Sequence, residues 1–121
     1  MRVLVVDDSP TMQQLICAAL VDEKLDVVLA DHGSAALKAL VAGAPDLIIT
    51  DLNMIHMDGF EFVGRVRQKP ECEFTPILFL TTEASEDFKQ IGRELGATGW
   101  ILKPFNPKEL VRVVRSVLRY S

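Results

Sequence analysis

Five short apolar runs recur along the chain and alternate with longer amphipathic segments. The runs are Val3–Val6, Val27–Ala30, Leu47–Ile49, Ile77–Leu80 and Trp100–Leu102. They are nearly continuous and rich in β-branched residues, which is typical of strands buried on both faces of a sheet. We therefore predict five strands in a parallel sheet that is covered by helices on both sides.

The segments between these runs carry helical signals. In the first segment, apolar residues recur at i, i+3, i+4, i+7 and i+8, and they are Met12, Leu15, Ile16, Ala19 and Leu20. Residues that favour helix starts are Ser9 before Pro10, Asp58 before Glu61, and Asn106 before Pro107. Glycines at the expected helix ends are Gly43, Gly96 and Gly99. The pattern predicts one helix after each strand.

Five βα units in 121 residues predict a single α/β domain that spans residues 1–121. Right-handed crossovers make such a sheet doubly wound. Of the two common strand orders, five strands favour the flavodoxin-like order 2-1-3-4-5. In that order strands 1 and 3 flank the switch point, and ligands bind outside the carboxyl ends of the strands there.

Composition narrows the class of protein further. Apolar residues make up 49% of the chain, and the longest apolar runs of four to five residues are too short to cross a membrane. The run Val3–Val6 stops at Asp7, unlike a secretory leader. Cys17 and Cys72 lack metal-type spacing, so two free thiols predict a cytoplasmic protein. The net charge of −4 argues against direct nucleic-acid binding over the whole surface.

Polar residues follow four of the five predicted strands, and they are Asp7-Asp8, Asp51, Thr81 and Lys103. Because parallel strands end at one edge, these side chains should meet. Clustered carboxylates stay ionised only when a cation relieves their repulsion, and carboxylates beside phosphate oxygens suit Mg²⁺. A carboxylate beside a metal and a lysine can become an aspartyl phosphate. The chain has no glycine-rich phosphate loop, so nucleotide binding is not indicated.

Five motifs give this cluster a family resemblance. They are Val5-Val6-Asp7-Asp8-Ser9, Thr50-Asp51-Leu52-Asn53-Met54, Met57-Asp58-Gly59, Leu80-Thr81-Thr82 and Lys103-Pro104-Phe105. In their order and spacing they resemble the receiver domains of two-component response regulators, and most closely the single-domain regulators of chemotaxis. Each motif alone is weak, but the five together span essentially the whole chain.

The resemblance implies a phosphoacceptor and a magnesium site. Asp51 would accept the phosphoryl group, and Asp8 and Asp51 would be direct ligands of Mg²⁺. The backbone carbonyl of Asn53 would be the third protein ligand, and Asp7 would help to organise the ion. The chain would then catalyse only its own phosphorylation and dephosphorylation, and would not be an enzyme in the ordinary sense.

The resemblance also implies how the phosphoryl group is sensed. Thr81 would bind the phosphoryl group and signal its presence, and Lys103 would hold a phosphoryl oxygen. The Lys103-Pro104 bond would be cis. Trp100 fills the aromatic switch position, where the family usually has tyrosine, phenylalanine or histidine, so its larger ring should rotate only in part.

Partners follow from the same resemblance. A histidine kinase or a small phosphodonor would supply the phosphoryl group. A downstream protein would bind the face formed by the fourth helix, fifth strand and fifth helix, and the protein would be a monomer or a phosphorylation-dependent dimer. The last predicted helix carries a basic stripe of Lys108, Arg112, Arg115 and Arg119. This stripe is either a solvated surface or a docking surface for an acidic partner, and we assign it to the same face.

Three other functions remain to be weighed. The chain could be a receiver domain of a larger transcriptional regulator or hybrid kinase. A phosphatase of the haloacid dehalogenase type is disfavoured, because that chemistry needs a second aspartate two residues after the first, where this chain has Ser9 and Asn53. A receiver-like module that only binds proteins is disfavoured, because every charged position of the site is present.

Overall fold

The computed structural model describes residues 1–54, 57–83 and 85–119, without the side chain of Arg119. Within these residues five strands alternate with five α-helices. The strands are β1 (Arg2–Val6), β2 (Asp26–Ala30), β3 (Leu47–Asp51), β4 (Ile77–Thr81) and β5 (Gly99–Leu102). The helices are α1 (Pro10–Leu20), α2 (Gly33–Ala39), α3 (Gly59–Arg67), α4 (Glu86–Leu95) and α5 (Pro107–Arg119). Short 3₁₀ turns follow α1, α2 and α3 at Val21–Glu23, Leu40–Ala42 and Pro70–Cys72.

The five strands form one parallel sheet in the order β2-β1-β3-β4-β5. This confirms the predicted flavodoxin-like fold. Every strand therefore ends at the same edge of the sheet, and β1 and β3 are neighbours at the point where the order reverses. No helix among the described residues has the length and apolar composition needed to cross a bilayer.

Alternate residues of each strand supply two cores, one on each side of the sheet. Val6 packs in the core on the side of α2, α3 and α4, with Phe62 of α3. Val5 packs in the other core, with Ile16 of α1 and Leu110 of α5. Because both faces of the sheet are covered, the strands are apolar along most of their length, as the sequence predicted.

The helix boundaries mostly follow the predicted signals. The side chains of Ser9, Asp58 and Asn106 each accept a backbone N–H within the first turn of the helix that follows, at 3.2, 2.8 and 2.8 Å. Gly96 ends α4 with a left-handed φ of 96°, and Gly43 closes the 3₁₀ turn after α2 with a φ of 135°. These contacts satisfy backbone groups that a helix end leaves unpaired.

One sequence expectation was wrong in detail. Gly99 does not end a helix, because it is the first residue of β5. Leu15 belongs to the apolar repeat that predicted α1, and in the folded chain it is 48% exposed. The buried face of α1 is centred on Ile16 and Leu20, so Leu15 lies at the margin of that face and points along the outer surface.

Candidate functional site

The carboxyl edge of the sheet brings together the three predicted acidic residues. Asp7 and Asp8 follow β1, and Asp51 is the last residue of β3. One carboxylate oxygen from each residue lies within 4.8 Å of the other two. Asp7 and Asp51 are buried, with only 1% and 7% of their surfaces exposed, and Asp8 is open to solvent. The side chains therefore form an acidic depression with one open side.

Asp7 is held in a fixed orientation by two neighbours. Its Oδ1 accepts the backbone N–H of Ser9 at 2.9 Å, which closes the turn into α1. Its Oδ2 lies 3.5 Å from the Nζ of Lys103. Both carboxylate oxygens are thus engaged within the folded chain.

Asp51 is held differently. Its Oδ1 lies 3.4 Å from the Nζ of Lys103 and accepts the backbone N–H of Asn53 at 3.4 Å. Its Oδ2 has no hydrogen-bond partner among the described residues. Burial raises the pKa of Asp51 above its ordinary value, the ammonium of Lys103 opposes that rise, and the negative charge of Asp7 adds to it. Ionising Asp51 in the folded chain therefore costs more free energy than ionising an exposed aspartate.

Lys103 connects the two buried carboxylates from the end of β5. Its side chain is only 16% exposed. Its backbone N–H donates to the carbonyl of Thr81 at 2.8 Å, which fixes the loop after β5 against the end of β4. The Lys103-Pro104 peptide bond is cis, as the resemblance implied.

Thr81 lies at the end of β4 and is 1% exposed. Its Oγ1 accepts the backbone N–H of Glu83 at 3.0 Å, so the hydroxyl proton remains available as a donor. Asn53 follows Asp51 and its side chain is exposed.

The charges of this edge fit a divalent cation. Three carboxylates against the one ammonium of Lys103 leave two negative charges uncompensated. Clustered carboxylate oxygens with an open side are the environment that Mg²⁺ prefers, because it keeps several water ligands. The same open side could admit a phosphoryl group beside Lys103.

Trp100 lies on β5, two strands away from Asp51 of β3, and packs beneath α4. Its ring centroid is 4.9 Å from that of Phe79 and 6.4 Å from that of Phe60. A Cβ placed on Gly92 of α4 would come within 2.6 Å of the Trp100 ring, so the absence of a side chain at Gly92 makes room for the indole. The Nε1 of Trp100 is buried and has no hydrogen-bond partner among the described residues.

The basic stripe of α5 does not lie where the sequence analysis assigned it. Lys108, Arg112 and Arg115 face α1 rather than α4 and β5, and they line a groove together with Ala18 and Ala19 of α1. The fourth predicted member, Arg119, has its side chain outside the described residues.

Arg115 anchors this side of α5 to the turn that follows α1. Its guanidinium makes a two-pronged ion pair with Glu23, in which Nε pairs with Oε1 and Nη2 donates to Oε2 at 3.0 Å. The assignment of the stripe to the face with α4 and β5 is therefore corrected.

The sequence analysis missed Gln13. Its Nε2 donates to the backbone carbonyl of Asp7 at 2.8 Å and to Oδ1 of Asp31 at 2.9 Å. It thus ties α1 to the acidic turn and to the end of β2. A glutamine within an amphipathic helix has no distinctive sequence signal, and only the contact reveals its position.

A comparison with protein families gives one match over most of the chain. A family model described as the response regulator receiver domain matches residues 3–115. A curated relative from Leptolyngbya boryana, an uncharacterised 14.6 kDa protein, is 39% identical over 95% of this chain and 88% of that protein. The alkaline phosphatase synthesis transcriptional regulatory protein PhoP of Bacillus subtilis is 38% identical over 99% of this chain, which spans about half of PhoP.

Solved structures agree with this match. The chemotaxis protein CheY4 of Vibrio cholerae superposes with a TM-score of 0.92 and 46% identity, over 96% of this chain and 97% of that chain. A response regulator from Chloroflexus aurantiacus superposes with a TM-score of 0.91 and 35% identity, over 98% of this chain and 97% of that chain.

Proposed function

The chain belongs to the response regulator receiver domain family, and on this premise we propose that it is a phosphoacceptor switch with Asp51 as the acceptor. Phosphorylation depends on Mg²⁺ and changes a protein-binding surface. The phosphoryl group comes from a histidine kinase or from a small phosphodonor such as acetyl phosphate. The only reactions that the chain catalyses are its own phosphorylation and dephosphorylation, within one domain of residues 1–121.

This proposal rests on one observation: the three carboxylates differ in the hydrogen bonds and ion pairs that they make. Asp7 uses both oxygens in contacts with Ser9 and Lys103. Asp8 is exposed and makes no ion pair with Lys103 among the described residues. Asp51 alone combines burial, contact with Lys103 and an Oδ2 that accepts no hydrogen bond within the described residues. A positioned carboxylate with a free oxygen is what nucleophilic attack on phosphorus requires.

In the proposed reaction, an Asp51 oxygen forms a bond to phosphorus while the bond from phosphorus to the donor breaks, and the donor leaves with the bonding electrons. Lys103 balances negative charge on the phosphoryl oxygens in the transition state. Thr81 offers its hydroxyl proton to one of those oxygens once the group is attached. Attack of water on phosphorus later breaks the bond to the Asp51 oxygen, which releases inorganic phosphate and restores the carboxylate.

Magnesium is proposed to sit among the carboxylates of Asp7, Asp8 and Asp51, with the backbone carbonyl of Asn53 as a further ligand. The support is the clustering of three carboxylate oxygens within 4.8 Å and their uncompensated charge. When bound, the ion neutralises charge on the phosphoryl group and on the acidic residues. Asp8 is the exposed member of the cluster, so its removal tests the metal site with little disturbance of the core.

The proposed output surface is the face of α4, β5 and α5. Ile91 of α4 and Leu102 of β5 are 43% and 51% exposed, so this face offers apolar side chains to a partner. Trp100 lies just beneath it, against Gly92 of α4. We propose that attachment of the phosphoryl group draws Thr81 toward Asp51 and alters the packing of Trp100, which changes this face.

Chemotaxis-type signalling is the output that we propose first. Its support is the 46% identity to CheY4 over 97% of that chain. The second candidate is a receiver domain of a longer transcriptional regulator, which is supported by the match to half of PhoP. The length of the native polypeptide beyond Ser121, together with rescue of swimming in a strain that lacks its own chemotaxis regulator, distinguishes the two.

For either output we propose a cytoplasmic domain that itself contacts other proteins rather than nucleic acid or membrane. It acts as a monomer or as a phosphorylation-dependent dimer. The cytoplasm is where kinases and acetyl phosphate are available as donors. Size-exclusion chromatography with and without beryllofluoride and Mg²⁺ tests the oligomeric part of this proposal.

Intact-mass spectrometry after treatment with acetyl phosphate and Mg²⁺ tests the chemistry. We expect one phosphoryl adduct on the parent chain, and none on Asp51→Asn or without Mg²⁺. Asp58→Asn is the matched control, because Asp58 is an acidic helix cap outside the cluster, and this variant should be labelled like the parent. An Asp51→Asn chain that is labelled at the parent's rate would refute the assignment.

A further inference from the structure

The side of α5 that faces α1 forms a groove of roughly 870 Å³ with an unusual lining. We call it the α1–α5 groove. Its apolar floor is formed by Ala18, Ala19 and Val111, and its basic wall by Lys108, Arg112 and Arg115. Pro107 and Ser116 mark its two ends on α5, which corresponds to a length of about 13 Å along a helix, or two to three turns.

The charge of this groove is opposite to that of the chain as a whole. The net charge of the protein is −4, yet the lining of the groove contains three cations and no acidic side chain among the residues that the structure describes. Lys108 and Arg112 have no ion-pair partner among the described residues. Arg115 already holds the carboxylate of Glu23 in a two-pronged contact, which shows that a carboxylate fits against this wall.

The floor of the groove favours a helix as occupant. Ala18 and Ala19 have small side chains, so a helix backbone could approach α1 closely. Leu15 lies one turn earlier on the same side of α1 and is 48% exposed. A stripe of apolar surface beside a row of cations matches a helix with one apolar face and acidic residues at its margin.

We propose that the α1–α5 groove is a docking site for an acidic amphipathic helix of a partner protein. The apolar side of that helix packs on Ala18, Ala19 and Val111, and its carboxylates pair with Lys108 and Arg112. This site is separate from the face of α4, β5 and α5, and its occupation does not require phosphorylation. Two copies of this chain fit the groove poorly, because a two-fold contact of groove with groove would bring two sets of three cations together.

The test uses a fluorescein-labelled synthetic helix of about 16 residues, long enough to be partly helical, with an alanine and leucine stripe and glutamates beside it. A twin peptide carries glutamine in place of every glutamate. We expect anisotropy titrations to show binding of the acidic peptide, and at least fivefold weaker binding of the twin. Amide NMR shifts should change at Ala18, Ala19 and Val111, and stay unchanged at Ile91 and Leu102.

Variants of the chain localise the interaction. The Lys108→Gln, Arg112→Gln double variant should bind the acidic peptide about fivefold more weakly, since each exposed charge pair accounts for roughly a twofold to threefold change. The matched control is the Arg65→Gln, Arg93→Gln double variant, which removes two exposed arginines on α3 and α4 and should bind like the parent.

A second pair of variants leaves every cation in place. Ala18→Glu puts a carboxylate into the groove and should weaken peptide binding, whereas Ala18→Gln adds nearly the same bulk without charge and should weaken it less. Equal binding of the two peptides, or unchanged binding by the double variant, would overturn the proposal. So would a chain dimer that the double variant abolishes, or tighter binding of a DNA duplex than of the acidic peptide through the same residues.

Discussion

Two neighbouring regions of the molecule are built on opposite principles. The first, which we call the acidic edge, consists of Asp7, Asp8, Asp51 and Lys103. The second, the aromatic cluster, consists of Phe60, Phe79, Phe88 and Trp100. The acidic edge is held by ion pairs of 3.4–3.5 Å and keeps excess negative charge. The aromatic cluster is held by ring contacts with centroid distances of 4.9–6.4 Å and carries no charge.

The difference indicates that the two regions have separate roles in the proposed switch. In the proposed function, a cation relieves the charge repulsion at the acidic edge and a phosphoryl group changes it, so this region responds to chemistry. The aromatic cluster has one polar group without a partner among the described residues, the Nε1 of Trp100, and can respond only by repacking. In the proposed function, phosphorylation therefore takes place at the acidic edge, and the aromatic cluster changes its packing in response.

Gly59 is the point where the two regions touch. A Cβ at this position would lie 2.6 Å from the backbone oxygen of Asp51 and 2.8 Å from Cε1 of Phe79. Its backbone N–H also donates to the carbonyl of Leu52 at 2.7 Å. The first residue of α3 is therefore packed against the acidic edge and the aromatic cluster at once.

The largest expected effect comes from filling this contact. Gly59→Ala should lower the free energy of unfolding by about 2–3 kcal/mol, because the new methyl group meets backbone atoms that cannot move aside. Gly64→Ala in the same helix is the matched control, because its nearest neighbour would be 3.9 Å away. Gly64→Ala should raise the free energy of unfolding by up to about 1 kcal/mol through its higher helix propensity. Urea unfolding measures both, and equal effects would contradict the proposed contact.

Removing charge from the acidic edge should raise the stability of the chain, whereas filling the contact at Gly59 should lower it. Burial raises the pKa of Asp51, so in the metal-free chain its contribution to stability is full below an unfolded-state pKa of about 4 and is lost as the pH rises through the folded value. Asp51→Asn should therefore melt several degrees higher than the parent at pH 7. About 1 kcal/mol shifts the melting temperature of such a chain by roughly 3–5 °C.

Thermal scans in EDTA from pH 4 to pH 8 test this sign. The gap between Asp51→Asn and the parent should widen as the pH rises and close at the acidic end. A gap of constant size across this range would show that the substitution acts by packing rather than by charge.

Magnesium should relieve the same repulsion without a substitution. At a Mg²⁺ concentration about tenfold above the dissociation constant, mass action should stabilise the parent by about 1.4 kcal/mol. Asp8→Ala should lose this increment, whereas Asp22→Ala, which removes an exposed acid after α1, should keep it. If melting of the parent does not respond to millimolar Mg²⁺, the acidic edge is not a metal site.

A smaller effect is expected at the aromatic cluster. Gly92→Ala would place a Cβ 2.6 Å from the Trp100 ring and should push the indole toward solvent, while the gain in helix propensity keeps the net change in stability near or below about 1 kcal/mol. Trp100 is the only tryptophan, so a red-shifted emission and easier quenching report its displacement directly.

Beryllofluoride with Mg²⁺ extends this experiment. It should change the Trp100 emission of the parent modestly and that of Gly92→Ala less, because the ring is already displaced in the variant. Identical spectra of the parent with and without saturating beryllofluoride would leave Trp100 as static packing.

The smallest expected effect concerns Gln13. Gln13→Ala removes two hydrogen bonds that hold the turn of Asp7, and we expect about threefold weaker Mg²⁺ binding, in line with roughly 0.5–1 kcal/mol for such a loss. Gln14→Ala on the exposed side of α1 is the control and should bind Mg²⁺ like the parent. Calorimetric titration separates the two, and equal affinities would remove Gln13 from the site.

Much of the acidic edge could be predicted from the sequence, because parallel strands end at one edge and polar residues at strand ends must meet there. Asp7, Asp51, Thr81 and Lys103 all follow this rule. The strands and most helix caps could also be predicted, because they depend on local sequence pattern and backbone geometry.

The remaining features depend on how whole helices are rotated. The sequence shows that α5 has a basic stripe, but only tertiary packing turns Arg112 and Arg115 toward α1. Leu15 fits the apolar period of α1, yet the helix is rotated so that this side chain lies outside. The space that Gly92 leaves for Trp100 is a contact between two elements, and neither residue signals it alone.

The contact between Lys103 and Asp7 joins residues 96 positions apart. Both ends must be present before such a contact can form, and closing so long a stretch of chain costs loop entropy. A ribosome must therefore deliver nearly the whole domain before the lysine can reach the carboxylates. A nascent chain that lacks β5 cannot form this pair. In the proposed function, the ability to react with a phosphodonor therefore also serves as a measure of completed folding.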